Sequence, residues 1–452
     1  MVYEEDSICA LATPNGVGAI GVIRVSGPNS REIIGKVFSK NLSNKNSHTS
    51  HFGTISNSNG ELIDEVLVTI FEHGKSFTGE ESVEIGCHGS LFIQEKIIAA
   101  LLEVGCRLAK PGEFTQRAFL NGKIDLSQAE AVADLIASQS KASHEIALNQ
   151  LRGNFSSELK ELRERLIHFA SLVELELDFA EEDVEFADRT ELMNLVVEVH
   201  QKVVRMASSF ELGNAIKNGV PVAIVGAPNT GKSTLLNQLL GENRAIVSDI
   251  AGTTRDVIEE TLNIDGILFR LIDTAGIRDG AEEIEAMGIE RSKEKIQQAK
   301  VVLCLADATS IQSIQEVEQW VEQLKNDFPT KKIGMIVNKI DVTNQTVLAN
   351  TIQISAKNGQ NIEALTSWLI TSVTGNFDLA NETIVTNARH QSALLKTAEA
   401  LEKATFGLET GITGDFIAMD IRQAMHWLGS ITGDISEDDL LANIFSKFCI
   451  GK

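Results

Sequence analysis

Gly226 and Gly231 enclose four residues, Ala-Pro-Asn-Thr, and Lys232 and Ser233 follow at once. Glycines at that spacing let the backbone turn its N–H groups inward, and the lysine adds an ammonium at the mouth of the turn, a combination that suits a polyphosphate. The residues before it, Val222-Ala-Ile-Val225, are apolar enough for a buried strand, and Ser233-Thr-Leu-Leu-Asn-Gln-Leu-Leu240 has helical spacing. The turn therefore lies where a helix N-terminus contributes its positive end. On this pattern Asn229, Thr230, Gly231, Lys232, Ser233 and Thr234 line the phosphates. Lys232 spans the β- and γ-phosphates and Ser233 ligates Mg²⁺. A glycine loop can carry this pattern by chance, but the strand before it and the helix after it argue against chance here.

Three further segments fit the same chemistry. Asp273, Thr274, Ala275 and Gly276 close an apolar run; Asp273 is suited to hold Mg²⁺ through water, and the Gly276 N–H to sense the γ-phosphate. Asn338, Lys339 and Asp341 close another. A carboxylate at Asp341 accepts from the N1–H and 2-amino group of guanine; adenine lacks both donors and would leave it unpaired, which makes discrimination steep. The backbone of Ser355, Ala356 and Lys357, on the next element, is placed to meet the guanine O6. Each segment alone is an ordinary turn; the set, in this order within one α/β stretch, specifies GTP. Ile277 follows Gly276 where a glutamine could have oriented the attacking water, so the water must be held otherwise. In Ser248-Asp249-Ile250-Ala251-Gly252-Thr253-Thr254, Thr254 reads as the switch threonine on Mg²⁺, and Asn229 offers a side-chain carbonyl beside the phosphates.

These residues need a frame. From about Val220 short apolar runs alternate with helical ones, the pattern of a doubly wound, mostly parallel sheet. Before it, residues from about 125 have helical spacing, many Ala, Leu and Glu and almost no breakers, and long helical patterns return after 380. The economical reading is an α/β P-loop GTPase domain inserted into an α-helical bundle domain; two unrelated helical segments are the alternative. Residues 7 to about 120 mix β-rich runs (IGVIRVSG, EVLVTIF, SVEIGC) with a helix ending near Gly105, an α+β domain, and SNKNSHTSHFG reads as a polar loop or a frayed connection. The expected bounds are 1–120, 121–216, 217–378 and 379–452. Cys87-His88 do not make a metal site and read as a turn after a strand.

Apolar residues make up 43% and charged residues 23%, which suits several globular cores. The acidic start leads into no apolar signal region, no run is long enough to cross a bilayer, and five scattered cysteines suit a reducing compartment, so a cytoplasmic protein is expected. A net charge of -23 repels phosphate backbones at long range, so any RNA contact needs a local basic patch or a basic partner. The terminal Cys449-Ile-Gly-Lys452 has the outline of a prenylation box but fails it at Gly451 and Lys452. A buried apolar Cys449 and a nucleophilic one both remain.

The GTP segments resemble the translation-factor-like class of P-loop GTPases, in its TrmE/Era-like (TrmE-Era-EngA-Septin-like) branch. Over nearly the whole chain, through ATPNGVGAIGVIRVSG, SFTGEESVEIGCHG, AKPGEFTQRAFLNGKIDLSQAEA, SDIAGTTRD and FCIGK, the sequence is similar to the MnmE (TrmE) family of tRNA-modification GTPases. The resemblance implies a K⁺ ion in place of an arginine finger, at Asn229, Ser248, Ile250 and Thr253, and a water-orienting glutamate at Glu285. Glu282 and Glu283 are equally eligible on the residues alone. It implies a first domain that forms a homodimer and binds a reduced folate, 5-formyl-tetrahydrofolate or a methylene relative, at Arg24, Glu84, Lys123 and Lys452. On the residues alone these are also surface charges and a strand-face carboxylate. Cys449 is then expected to act as a nucleophile. Also implied are a flavin-dependent partner of the MnmG (GidA) type in a heterotetramer, and a tRNA whose wobble uridine receives an aminomethyl-type group at carbon 5. A regulatory or ribosome-assembly GTPase and a dimerising scaffold are the rival readings, and SDIAGTTRD does not separate them.

Overall fold

The structure, a computed structural model, describes residues 6–178, 189–243, 260–272, 293–343, 351–375, 377, 382–435, 438–446, 448 and 450–451. The chain divides into two compact units, one of residues 1–133, 150–165 and 425–452, the other of residues 134–149 and 166–424.

The first unit is built on a six-stranded sheet of β1 (Ile8–Leu11), β2 (Ile20–Ser26), β3 (Thr49–Ser56), β4 (Leu62–Phe71), β5 (Ser82–His88) and β6 (Arg107–Leu108), in the order β3-β4-β5-β2-β1-β6. Its pairs are antiparallel except β1 with β6. Alternation decides which face each residue serves. Cys9, Ile23, Val25, Val66, Val68, Ile70, Val83 and Ile85 form one buried face with Ile97, Ala100 and Leu101 of the helix Leu91–Glu103. On the opposite face Ile8 and Ala10 pack with Ala109 and with Phe114 of the helix Glu113–Leu120, which covers the β1 end of the sheet. Farther along that face Phe52, Leu67 and Ile20 are 59%, 48% and 69% exposed. One face is thus fully covered and the other only at one end.

Two expectations fail in this unit. The second half of SNKNSHTSHFG is strand β3, not loop. It is an edge strand that ladders with β4 and meets only the short stretch around Phe38 on its other side, and its open side carries Ser50, Thr54 and Ser56 beside Phe52, so its polarity hides its conformation. His88 ends β5 instead of lying in a turn: its N–H and its Nδ1 meet the two oxygens of Asp64 at 2.9 and 2.7 Å.

The carboxy-terminal segment belongs to the same unit. Leu441 and Phe445 of the helix Asp438–Ser446 pack with Leu126 and Ala129. Gly112, at φ +68°, has no room for a Cβ beside Phe445 and Phe448, and Gly451, at φ +94°, lies against the carbonyl of Leu11. Both glycines combine a left-handed backbone with a close approach.

The second unit holds β7 (Val220–Gly226), β8 (Glu260–Ile264), β9 (Ile267–Leu271), β10 (Val301–Asp307), β11 (Lys332–Asn338) and β12 (Ile352–Gln353), ordered β12-β11-β10-β7-β9-β8, all parallel except β8. Successive residues of its central strands feed two cores. Val222, Ile224, Val301, Leu303 and Leu305 join one, which includes Leu235, Leu239 and Leu365 from the helices Lys232–Asn243 and Ile362–Thr374. Ala223, Val225, Val302, Cys304 and Ala306 join the other, with Val317 and Val321 of the helix Ile311–Asp327. Helices on both faces make the sheet doubly wound. In the same unit the helices Arg189–Ser208 and Ala388–Thr410 pack along each other, burying Val196, Val199 and Val203 of one and Leu394, Ala398 and Leu401 of the other. The spacing of these residues is that of one helix face.

Candidate functional site

Chain order reverses between β7 and β10, and ligands of open parallel sheets bind at the carboxyl ends of the strands on either side of such a reversal. The glycine turn follows β7 there. Asn229 is left-handed (φ 58°), a conformation asparagine tolerates better than most residues, and its side chain is exposed. Thr230 is buried, its hydroxyl donating to the Ala227 carbonyl at 2.9 Å. Lys232 Nζ donates to the carbonyls of Gly226 and Ala227, both at 2.8 Å, so the loop curls around its own ammonium. Burial, with the charge of Lys295 adding to it, holds the Lys232 pKa below the usual lysine value. Ser233 and Thr234 stand exposed in the first turn of the following helix.

The end of β11 closes the site. Asn338 is almost fully buried and uses both ends of its amide: Nδ2 donates to the Thr230 carbonyl at 2.9 Å and Oδ1 accepts from the Ala356 N–H at 2.9 Å. It clips the phosphate turn to the segment of Ser355, Ala356 and Lys357. Gly231 is the residue that lets this clip close, because a Cβ there would lie 2.2 Å from Asn338 Nδ2. Lys339 is left-handed (φ 69°) and its Nζ reaches Asp307 Oδ2 at 2.6 Å. Burial alone would raise the Asp307 carboxyl; the bond from Lys339 and two from Thr309 hold it below the usual carboxylate range. Asp341 follows in the next turn, exposed. Ser355 is fully buried, paired through its backbone with Gln360. The structure thus brings together Asn229 to Thr234, Asn338, Lys339, Asp341 and Ser355 to Lys357. Sequence reasoning missed Asp307, although it ends the apolar run KVVLCLAD, where a carboxylate at a strand terminus is itself a signal.

The expectations at Ser248, Asp249, Ile250, Ala251, Gly252, Thr253, Thr254, Asp273, Thr274, Ala275, Gly276, Glu285, Cys449 and Lys452 lie outside the described residues. The four cysteines that are described, Cys9, Cys87, Cys106 and Cys304, are all buried, and burial pushes the Cys304 thiol up to about 12. All four lack the solvent access of a nucleophile.

A second cluster stands on the first sheet, where its half-covered face passes from covered to open. Arg24 on β2 faces Glu84 on β5 in register, its Nε and Nη2 both donating to Glu84 Oε1 at 3.0 and 2.8 Å. The Arg24 guanidinium lies 5.5 Å from the ring centre of Phe77 and 5.7 Å from that of Phe114. Lys123 is anchored on the loop that carries Phe77, its Nζ donating to the Gly74 carbonyl at 2.9 Å. Arg24, Glu84 and Lys123 therefore converge on one loop, and Ala10, beside Arg24 in the register, is next to the Leu11 against which Gly451 packs. Phe77 is the residue sequence reasoning missed, since only its neighbourhood, not its type, marks it.

A family model described as the MnmE helical domain matches residues 126–449, and one described as the GTP-binding protein TrmE N-terminus matches residues 7–123. A protein called tRNA modification GTPase MnmE from Flavobacterium johnsoniae is 53% identical over 467 residues, covering 100% of each chain. Another of that name from Cytophaga hutchinsonii is 54% identical over 455 residues, covering 99% of this chain and 98% of its own, and one from Bacteroides fragilis is 49% identical over 467 residues, covering 99% and 100%. With the phosphate turn and its asparagine clip in place and both family models matched along their segments, the chain belongs to the MnmE family of tRNA-modification GTPases.

Proposed function

We propose that this chain hydrolyses GTP as part of a complex that modifies carbon 5 of a tRNA wobble uridine with an aminomethyl-type group, finally carboxymethylaminomethyl, drawing the carbon from a reduced folate. The observation that carries the reading is the Asn338 clip, which sets the phosphate turn and the guanine-facing segment at a fixed distance. Backbone N–H groups of the turn and the Lys232 ammonium take the phosphates; Asp341 selects guanine. Exposed Ser233 fits a magnesium ligand, and exposed Asn229, held left-handed at the loop, fits a potassium ligand. Cations at these positions supply positive charge where negative charge gathers on the phosphates. Asp273 and Thr254 complete the magnesium set, Ser248, Ile250 and Thr253 the potassium set, and Glu285 orients the water. The working bounds of the domains are 1–120, 121–216, 217–378 and 379–452.

The partly exposed Arg24–Glu84 pair fits the ring end of a folate, its carboxylate suited to ring N–H groups, and Lys123 and Lys452 are cations for the acidic tail. The open, partly apolar sheet face supports a homodimer, since faces of this kind are sites of association. Cys449 acts as the nucleophile toward the uracil ring, and the flavin-dependent partner of the MnmG (GidA) type joins in a heterotetramer and supplies much of the RNA contact that a chain of charge -23 disfavours. No helix among the described residues is long and apolar enough to cross a membrane; the setting we propose is the cytoplasm. The test is mass spectrometry of wobble nucleosides from cells with and without this chain. Loss of the carbon 5 substituent is expected; a ribosome-subunit defect with normal uridine would support the assembly reading instead.

A further inference from the structure

Asp307 ends β10, in register with Asn338 of β11. Its N–H donates to Ser313 Oγ at 3.1 Å, and Ser313 lies in the first turn of the helix Ile311–Asp327, which Ser310 caps. Its Oδ1 accepts from the N–H and the hydroxyl of Thr309 at 2.9 and 2.7 Å. The carboxylate is thus fixed by its own turn, and its second oxygen, Oδ2, takes Lys339 Nζ at 2.6 Å. An aspartate fastened in this way does not swing out to meet a lysine; the lysine is brought to it.

Lys339 is left-handed, although lysine has no short polar side chain to ease that conformation. Residues held in such conformations gather at ligand sites. It stands between Asn338, whose amide clips the phosphate turn to Ala356, and the exposed Asp341. Asp307 already neutralises its ammonium, so what Lys339 offers a nucleotide is its apolar stem, stretched from the end of β11 to the end of β10 and partly exposed. A methylene stem suits the face of a flat ring, as the carboxylate two residues on suits its edge. A free lysine would lose its rotamer freedom when a ligand covered it; a tethered one has lost that freedom beforehand.

We propose that Asp307 is a positioning residue for guanine nucleotides: it holds Lys339 by the ammonium, so that the lysine stem stands as a wall along one face of the base whose edge Asp341 reads. The inference rests on the guanine reading above. Asp307 acts through Lys339 and does not itself touch the nucleotide. Its effect belongs to binding and not to the chemical step, and it falls on the face of the base and not on the 2-amino group.

The test is steady-state hydrolysis by the full chain with GTP and with ITP, whose base lacks the 2-amino group. Asp307→Asn is expected to raise KM roughly tenfold for both nucleotides, the scale of ordering one long side chain. It is expected to leave kcat within about twofold of the parent value. Lys339→Ala is expected to raise KM at least as much, and Asp307→Asn added to Lys339→Ala to raise it no further. Lys339→Met keeps the stem but loses the group that Asp307 holds; it asks the same question with Asp307 intact and is expected to match Asp307→Asn. Melting followed by circular dichroism shows whether each variant is folded. A parent-like KM in folded Asp307→Asn or Lys339→Met overturns the assignment, as does a lower kcat at unchanged KM. A rise in KM for GTP alone overturns it too, and so does further weakening in the double variant, which would mean that Asp307 acts without Lys339. Equal KM values for GTP and ATP in the parent chain overturn the guanine reading itself, and the inference with it.

Discussion

The two sheets carry sites built on opposite plans. On the second sheet the groups proposed to meet the nucleotide are mostly main-chain N–H and carbonyl groups at the ends of parallel strands, and a buried side chain such as Asn338 serves to hold those loops. On the first sheet the proposed recognising groups are side chains, Arg24 and Glu84, facing each other across antiparallel strands beside a loop that buried charges fasten from below. Main-chain sites tolerate little change in the loop but much in the side chains around it. Side-chain sites behave the other way. The contrast also separates what burial does: at Asn338 it protects a clip between two loops, whereas at Arg117 it supports the loop that carries the partly exposed Phe77.

The largest effect expected from this contrast is at Asp341, the side chain on the second sheet proposed to act on the base directly. Asp341→Asn should weaken GTP roughly a thousandfold, because the guanine donors lose a charged acceptor; competition against a fluorescent guanine nucleotide measures it, and a loss below tenfold would break the contrast. Asn338→Ala should cost about 2–4 kcal/mol in the unfolding of the second unit, since it orphans the Thr230 carbonyl and the Ala356 N–H in a buried place. Chemical denaturation read by circular dichroism checks this, and near-neutral stability would mean the clip is dispensable. On the first sheet Glu84→Gln should reduce folate affinity about tenfold while costing no more than about 1 kcal/mol of stability, because the pair it weakens is partly exposed.

The smallest effect is in pH. Asp307 has a lowered pKa in the folded chain, so the unfolded chain takes up its proton first as pH falls. Its stabilisation is complete above the ordinary carboxylate pKa of about 3.9 and is lost as pH falls through the lower folded value. Asp307→Asn should therefore flatten the acid limb of the stability curve by about 1 kcal/mol or less, with little change in shape at neutral pH. Denaturant midpoints taken between neutral pH and the acid limb would show it, and identical acid limbs in both proteins would remove the pair from the account.

What the sequence reveals follows the same division. The phosphate turn is contiguous, its glycines and lysine are needed at fixed offsets, and the residues read as lining it, Asn229 to Thr234, lie together in the structure. The apolar runs that feed both faces of the second sheet are short and unbroken, so VPVAIVG, KVVLCLAD and KIGMIVN read as buried strands without knowledge of their order. Arg24, Phe77, Glu84 and Lys123 are scattered along the chain, and only register and a closed loop assemble them; the family resemblance supplied three of the four, and nothing local marks the phenylalanine. The edge strand β3 stayed hidden because half its residues face solvent, and the role of Asn338 as a clip was invisible because both of its partners are main-chain atoms distant in sequence.

The most direct measurement is calorimetry on the nucleotide-free full chain with GTP and then with ATP under identical salt. The account predicts saturable heat with GTP and none with ATP at the same concentrations. Equal heats for the two nucleotides, or no heat with GTP, would contradict it.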